Sequence, residues 1–397
     1  MRYWPCIAVG AFLGFTPRAL ASPYTPKDNA EVIGRLPFRV GDSDARQLTA
    51  LRAAAASAPA DQVPAVALIQ KYIELAMARS DPRYIGYAEA IVAGFSAQPS
   101  APMLMARAVL LQFRHEFAAA LDDFATALKL DKDLAGAHAW RGAIYLVQAD
   151  YTAAAKECEA LRRLRREVLF AGCAGLTAAY TGKLETASQI LQQALAATND
   201  DEHRLWLHTR LGEVAAWQGK PVTAERHYRQ ALATGMDDGY LLAAWSDFLL
   251  DQNRPAEVIK LLANWESSDG LLLRLTEAES LLGLPGAAAH RQALEDRFAA
   301  AKMRGDTTHR AEEARFQLRL KGDAKLASAL AAENYTVQKE PRDARILLEA
   351  AIATGEAGPA RAALTWLQSS GFEDARLRQL GRKLLSPAAQ ATHGAAR

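Results

Sequence analysis

Of the three cysteines, Cys158 and Cys173 stand 15 residues apart in mid-chain, far from Cys6. Such a pair has two fates. It closes a disulfide in an oxidising compartment, or it remains two small, buried, apolar thiols. The eight histidines, at 115, 138, 203, 208, 227, 290, 309 and 393, offer no metal-ligand spacing. His203 and His208, five apart, do not share a helix face. No Gly-x-Ser-x-Gly elbow, phosphate-cradling glycine loop or Cys-x-x-Cys occurs, and the 45 carboxylates are scattered. No catalytic set, metal or cofactor is predicted. The run Arg162-Arg163-Leu164-Arg165-Arg166 can greet an acidic partner or a lipid headgroup. It equally suits a solvated helix end, where cations favour the helix dipole.

The elements that hold these residues must be helices. The chain has 397 residues, is 50% apolar and only 8% aromatic, and is dominated by alanine. Alanine gives up no side-chain entropy in a helix. A turn followed by a small residue recurs along it. The pairs are His115 and Ala120, Ala149 and Ala154, Gly182 and Ala187, Gly219 and Ala224, Asn253 and Val258, Gly322 and Ala327, and Gly355 and Ala360. Successive spacings are 34, 33, 37, 34, 69 and 33 residues, the 69 hiding one degraded unit. Four residues after the small position come Phe124, Cys158, Leu191, Tyr228, Leu262 and Leu364. Twelve before it come Ala108, Gly142, Gly175, Gly212 and Ser246. Small side chains at both places let two antiparallel helices approach closely, ridge into groove. One such hairpin cannot bury its apolar face alone; stacking does that.

A 34-residue period with this pattern resembles the tetratricopeptide repeat family, over about three quarters of the chain. The resemblance implies an all-α fold, an α-α superhelix of antiparallel helix hairpins. It also implies that the first helix of each hairpin lines a concave, partner-binding face. Carried over by position, that face holds Phe113, Tyr180, Trp206, Glu213, Trp217, Tyr240 and Asp247. Aromatic anchors with a few polar groups suit capture of a peptide or protein segment, although several of these rings also suit the core between hairpins. The lysine, asparagine and arginine clamp that some members use for a C-terminal carboxylate is absent, since Ala139, Ala143 and Val147 stand in its place.

At the start of the chain, Arg2 precedes a broken apolar stretch from Trp4 to Phe15, then Ala19-Leu20-Ala21. This reads as a signal peptide over 1–21, cleaved near Ala21/Ser22, hence periplasmic or secreted export. Tyr3-Trp4-Pro5 before Cys6 lacks the small residues that lipid attachment needs. The whole chain carries 47 basic and 45 acidic residues. Loss of Arg2 and Arg18 with the leader balances them, which leaves no electrostatic footprint for nucleic acid. The expected organisation is an extended lead-in and capping helix at 22–66, repeats at 67–272, a degraded repeat at 273–307, repeats at 308–374, and a capping helix with a disordered tail at 375–397. The expected function is a non-catalytic protein–protein interaction scaffold of the bacterial cell envelope. It would have a protein or peptide partner, a place in an envelope complex and no integral membrane segment in the mature chain. The competing readings are a glycan- or cell-wall-acting enzyme built on a helical solenoid, and a purely structural spacer.

Overall fold

The computed structural model describes residues 42–386 together with Asp28. The predicted leader at 1–21, Cys6 and the tail after 386 lie outside the described residues. The chain divides into two units, Met1–Thr49 and Ala50–Arg397. The described part of the first is mainly the opening of α1 (Ser43–Ser57), which runs on past the division.

The second unit is helical throughout its regular structure among the described residues. Its first half contains α2 (Gln62–Arg79), α3 (Arg83–Ala93), α4 (Ala101–Phe113), α5 (Phe117–Leu130), α6 (Ala135–Val147), α7 (Tyr151–Arg163), α8 (Glu167–Tyr180), α9 (Leu184–Ala197), α10 (Asp201–Trp217) and α11 (Pro221–Leu232). Then follow α12 (Gly239–Asp251), α13 (Pro255–Leu262), α14 (Asp269–Leu281), α15 (Gly286–Met303), and α16 (Arg310–Phe316), which a π-helical turn (Gln317–Lys321) extends. The last are α17 (Ala324–Val337), α18 (Pro341–Thr354), α19 (Arg361–Ser370) and α20 (Ala375–Leu385). Neighbours from α2/α3 to α16/α17 pack as hairpins, and α18 packs with both α19 and α20.

Local chemistry sets the helix starts. Asp150, Asp200, Asp238, Asp323 and Asp374 each accept a hydrogen bond from a first-turn amide, at 2.7–3.0 Å. Each such cap contributes about 1 kcal/mol. The turns follow the register read from sequence. His115, Ala149, Gly182, Gly219, Asn253, Gly322 and Gly355 all have positive φ, between 55° and 76°. The small residue five positions later, from Ala120 through Val258 to Ala360, is fully buried in every case. The small first-helix positions act as expected. A Cβ on Gly175 would meet Leu191 Cγ at 3.0 Å, and one on Gly212 would meet Tyr228 Cε1 at 2.8 Å. The weak pattern after 272 has a physical cause. Gly283 makes the left-handed turn (φ 63°), but the buried residue is Ala287, four positions on. The register there slips by one residue, so a fixed spacing misses the α14/α15 hairpin.

Two long-range closures complete the array. Ser80, at the end of α2, abuts Gly239 at the start of α12, where a Cβ would overlap the serine hydroxyl. The segment from α16 to α20 also folds back onto the intra-hairpin turns of the middle hairpins. The Lys339 amide donates to the Val147 carbonyl at 2.7 Å. A Cβ on Gly182 would lie 2.5 Å from the Gly371 carbonyl oxygen. Gly182 and Gly219 therefore predict different outcomes. Both have left-handed φ, which costs an alanine about 1–2 kcal/mol. Only Gly182 also faces backbone. Gly182→Ala should lower stability roughly twice as much as Gly219→Ala, because overpacking adds about 1–3 kcal/mol. Thermal unfolding of the two variants checks this, and equal losses would contradict it.

Candidate functional site: the inner face and turn edge of the hairpins

The seven residues expected on the inner face separate into three groups and one outlier. Phe113, at the end of α4, stands apart, with its ring 6.5 Å from that of Trp140 on α6.

In the first group Tyr180 ends α8 and Trp217 ends α10, their rings 6.0 Å apart. Between them sits Phe372, from the loop joining α19 to α20, at 6.1 Å from Tyr180 and 5.3 Å from Trp217. Trp366 on α19 packs 5.5 Å from Phe372, and its Nε1 donates to the Tyr151 hydroxyl at 2.6 Å. Phe372 is fully buried and Tyr180 nearly so. Burial drives the Tyr180 phenol well above its usual range, so it stays neutral; its ring walls Phe372 while its hydroxyl donates to Glu340 Oε1 at 3.5 Å.

The second group is Trp206, Glu213 and Tyr240, gathered by Arg210. Arg210 Nη1 donates to Glu213 Oε2 at 2.9 Å and to the Tyr240 hydroxyl at 2.5 Å. Tyr240 donates in turn to Glu213 Oε1 at 2.6 Å. The guanidinium lies 4.2 Å from the Tyr240 ring and 5.5 Å from that of Trp206. Burial alone would lower the Arg210 pKa, but Tyr240 and Glu213 overcome it, and the group stays charged. Gly172 on α8 is what admits Trp206, since a Cβ there would overlap the indole.

The third group forms around Asp247. Arg274 of α14 and Arg315 of α16 donate to its two oxygens at 2.7 and 2.6 Å. Arg315 also forks onto Glu277, at 2.6 and 2.8 Å. Burial raises the Asp247 pKa, yet the charges of Arg274 and Arg315 outweigh it and hold the carboxyl far below its usual range. One turn further on, Asp251 accepts two hydrogen bonds from Arg345 of α18, at 2.7 and 2.6 Å, and pairs with Arg376 of α20. Together these contacts form a structural ladder of ion pairs. A nucleophile–base pair is not among these contacts.

Sequence reading did not single out Arg210, Arg315, Arg345, Phe372 or Glu373. Arginines inside the first helices α10, α16 and α18 were the available signal for the first three. For Phe372 and Glu373 no local signal exists.

Cys158 on α7 and Cys173 on α8 are bonded, with Cα atoms 5.3 Å apart. In the next hairpin His208 and His227 are buried, with their Nδ1 atoms 3.0 Å apart, so one neutral ring donates to the other. Burial, helped by Arg204 and Arg226 at His208 and by His208 and Arg226 at His227, pulls both down to about 4. Their neutral forms therefore contribute stability that is present above about pH 6.5 and lost as pH falls toward 4. The ceiling is about 3 kcal/mol per ring. Asp343, buried and pushed up to about 7, has the opposite sign, since it disfavours the fold as pH rises from about 4 to 7. The prediction is accordingly a difference. Relative to wild type, a His208→Gln/His227→Gln variant should lose less stability between pH 7 and 4.5 in urea titrations. Parallel pH profiles would contradict it.

The class defined by this register of turns and buried small residues is an all-α, tetratricopeptide-like solenoid of antiparallel helix hairpins. No protein-family model matches the sequence, and no curated protein does so. Solved structures similar to it include a tetratricopeptide repeat protein from Parabacteroides merdae, at 17% identity and TM-score 0.41, covering 64% of this chain and 92% of that one. Another is the APC/C hetero-tetramer Cut9-Hcn1, at 13% and 0.49, covering 83% and 64%. A third is the TPR domain of P58(IPK), at 14% and 0.22, covering 79% and 94%. Among the described residues no helix is long and apolar enough to cross a membrane, and no group of three or more His, Cys, Asp or Glu could hold a metal ion.

Proposed function

We propose that this chain is a non-catalytic protein–protein interaction scaffold of the bacterial cell envelope, periplasmic or secreted, that holds a peptide or protein segment along the inner face of its hairpins. One observation carries the reading. The surface formed by α6 to α12 already holds a polypeptide segment through aromatic rings, arginine–carboxylate pairs and backbone hydrogen bonds, and that segment is the chain's own residues 339–376. Phe113 on α4 lies outside the covered stretch and Trp206 on α10 within it, and both are part-exposed. Aromatic and arginine side chains contribute most where proteins meet.

Two features support export. The sequence opens with the pattern of a leader, and the chain carries a Cys158–Cys173 disulfide, a bond that persists in oxidising compartments. Photo-crosslinking tests the whole reading. A crosslinker placed at Phe113 or Trp206 should trap a discrete envelope partner in cells, and one at exposed Val222 on α11 should not. Equal trapping from all three positions, or none, would count against the scaffold.

A further inference from the structure

Phe372 and Glu373 are held in the way a bound peptide is held. Phe372 enters a box walled by Tyr180 and Trp217, with ring centroids 6.1 and 5.3 Å away, and Trp366 of its own segment closes over it at 5.5 Å. Glu373 Oε2 accepts from the amide of Leu184, the first residue of α9, at 2.9 Å. That helix starts at Lys183, whose side chain gives it no cap. A carboxylate from 189 residues away does so instead. Gly371 and Gly182, both with positive φ, let the two backbones touch. Arg378 Nε and Nη2 fix the loop by donating to the Phe372 and Gly371 carbonyls, at 2.9 and 2.8 Å. Yet the element that delivers the loop is lightly anchored, since α19 buries only Ala363 and Trp366 along its ten residues. Segments with few buried contacts open first.

We infer that this box is a docking site for a partner segment in which an aromatic residue is followed directly by a carboxylate, and that residues 371–374 occupy it as an internal stand-in which the partner displaces. The inference rests on the scaffold reading and adds the recognised chemistry and the means of regulation. The ring supplies the buried area. The carboxylate supplies a charge-assisted bond to a helix N-terminus, where the dipole favours a negative group. Glycine before the aromatic residue permits the close approach to Gly182.

The test uses the full chain and a fluorescein-labelled peptide of residues 366–378. The Phe372→Ala/Glu373→Ala protein, with the box vacated, should bind the peptide at least tenfold more tightly than wild type. Adding Trp217→Ala, or replacing the peptide's phenylalanine by serine, should abolish that gain. Equal binding by wild type and variant overturns the inference, as does a gain that survives loss of Trp217. Should the variant not fold by circular dichroism, wild type answers alone: excess peptide should speed amide exchange across 361–374 at least tenfold, and unchanged exchange overturns the proposal. A wild-type dimer that exchanges residues 361–385 between copies would reassign the box to a second copy of the chain, against the partner proposed here. Failure of the peptide with crosslinks intact at Phe113 and Trp206 would refute this site alone, and the converse would refute the scaffold.

Discussion

Phe372→Ala should detach the C-terminal end of the protein before the rest of the array melts. Truncating a fully buried phenylalanine costs about 3–5 kcal/mol through lost transfer energy and the cavity left behind. Here the ring is fully buried and meets Tyr180, Trp217 and Trp366 at once. The remaining ties of α19 and its loop are the Trp366–Tyr151 and Leu184–Glu373 hydrogen bonds, the Gly182–Gly371 contact, the burial of Ala363 and Trp366, and the Arg378 bonds to the Gly371 and Phe372 carbonyls. Each hydrogen bond contributes about 1 kcal/mol net, more for the charged one. The loss is as large as any one of these ties, so this end becomes the first part of the array to open. Denaturant titration followed by tryptophan emission should show a new early step, reported by Trp217 and Trp366, ahead of the main transition. A single, slightly shifted transition would mean that the ring contributes little.

Removing Arg315 is the second large effect. Its guanidinium is 13% exposed and joins Glu277, 6% exposed, to Asp247. Arg315→Ala removes the ion-pair partner of buried Glu277, while Asp247 keeps Arg274. Breaking one partner of a buried pair costs about 3–5 kcal/mol, mostly the penalty of the stranded charge. Replacing both partners, as in Arg315→Met/Glu277→Leu, should recover most of that loss, because well-packed apolar groups often substitute for a buried pair at little cost. Urea midpoints of the single and double variants decide the matter. A double variant as damaged as the single would show that the charges themselves hold α14 to α16.

The two effects differ in how legible they were. The α-helical class, the hairpin register and the buried alanines follow from local rules. A left-handed turn at Gly182 or Asn253, a small residue five positions on and a bulky one four beyond that repeat because every hairpin solves the same packing problem. The α14/α15 hairpin was obscured because Leu284-Pro285 shortens the step from turn to buried alanine by one residue. The fold-back of α18 to α20 was not legible at all. Its contacts join residues 94 to 215 positions apart, such as Asp251 with Arg345 and Tyr151 with Trp366. Periodicity within a 34-residue window carries no information about them. Thus Tyr180 and Trp217 could be placed on a helix face by position, but the ring that fills the space between them could not. Arg210 was passed over although Glu213 stands three positions on in its own helix, because its other partner, Tyr240, comes from α12.

Hydrogen exchange with mass spectrometry probes the fold-back most directly. Amides at 182–187 and at 366–380 should be protected in wild type, and Phe372→Ala should release the second stretch together with the Leu184 amide while leaving 101–134 unchanged. If 366–380 exchanged within seconds in the unaltered protein, at the rate of a free peptide, the chain's own end would not be the occupant of that edge.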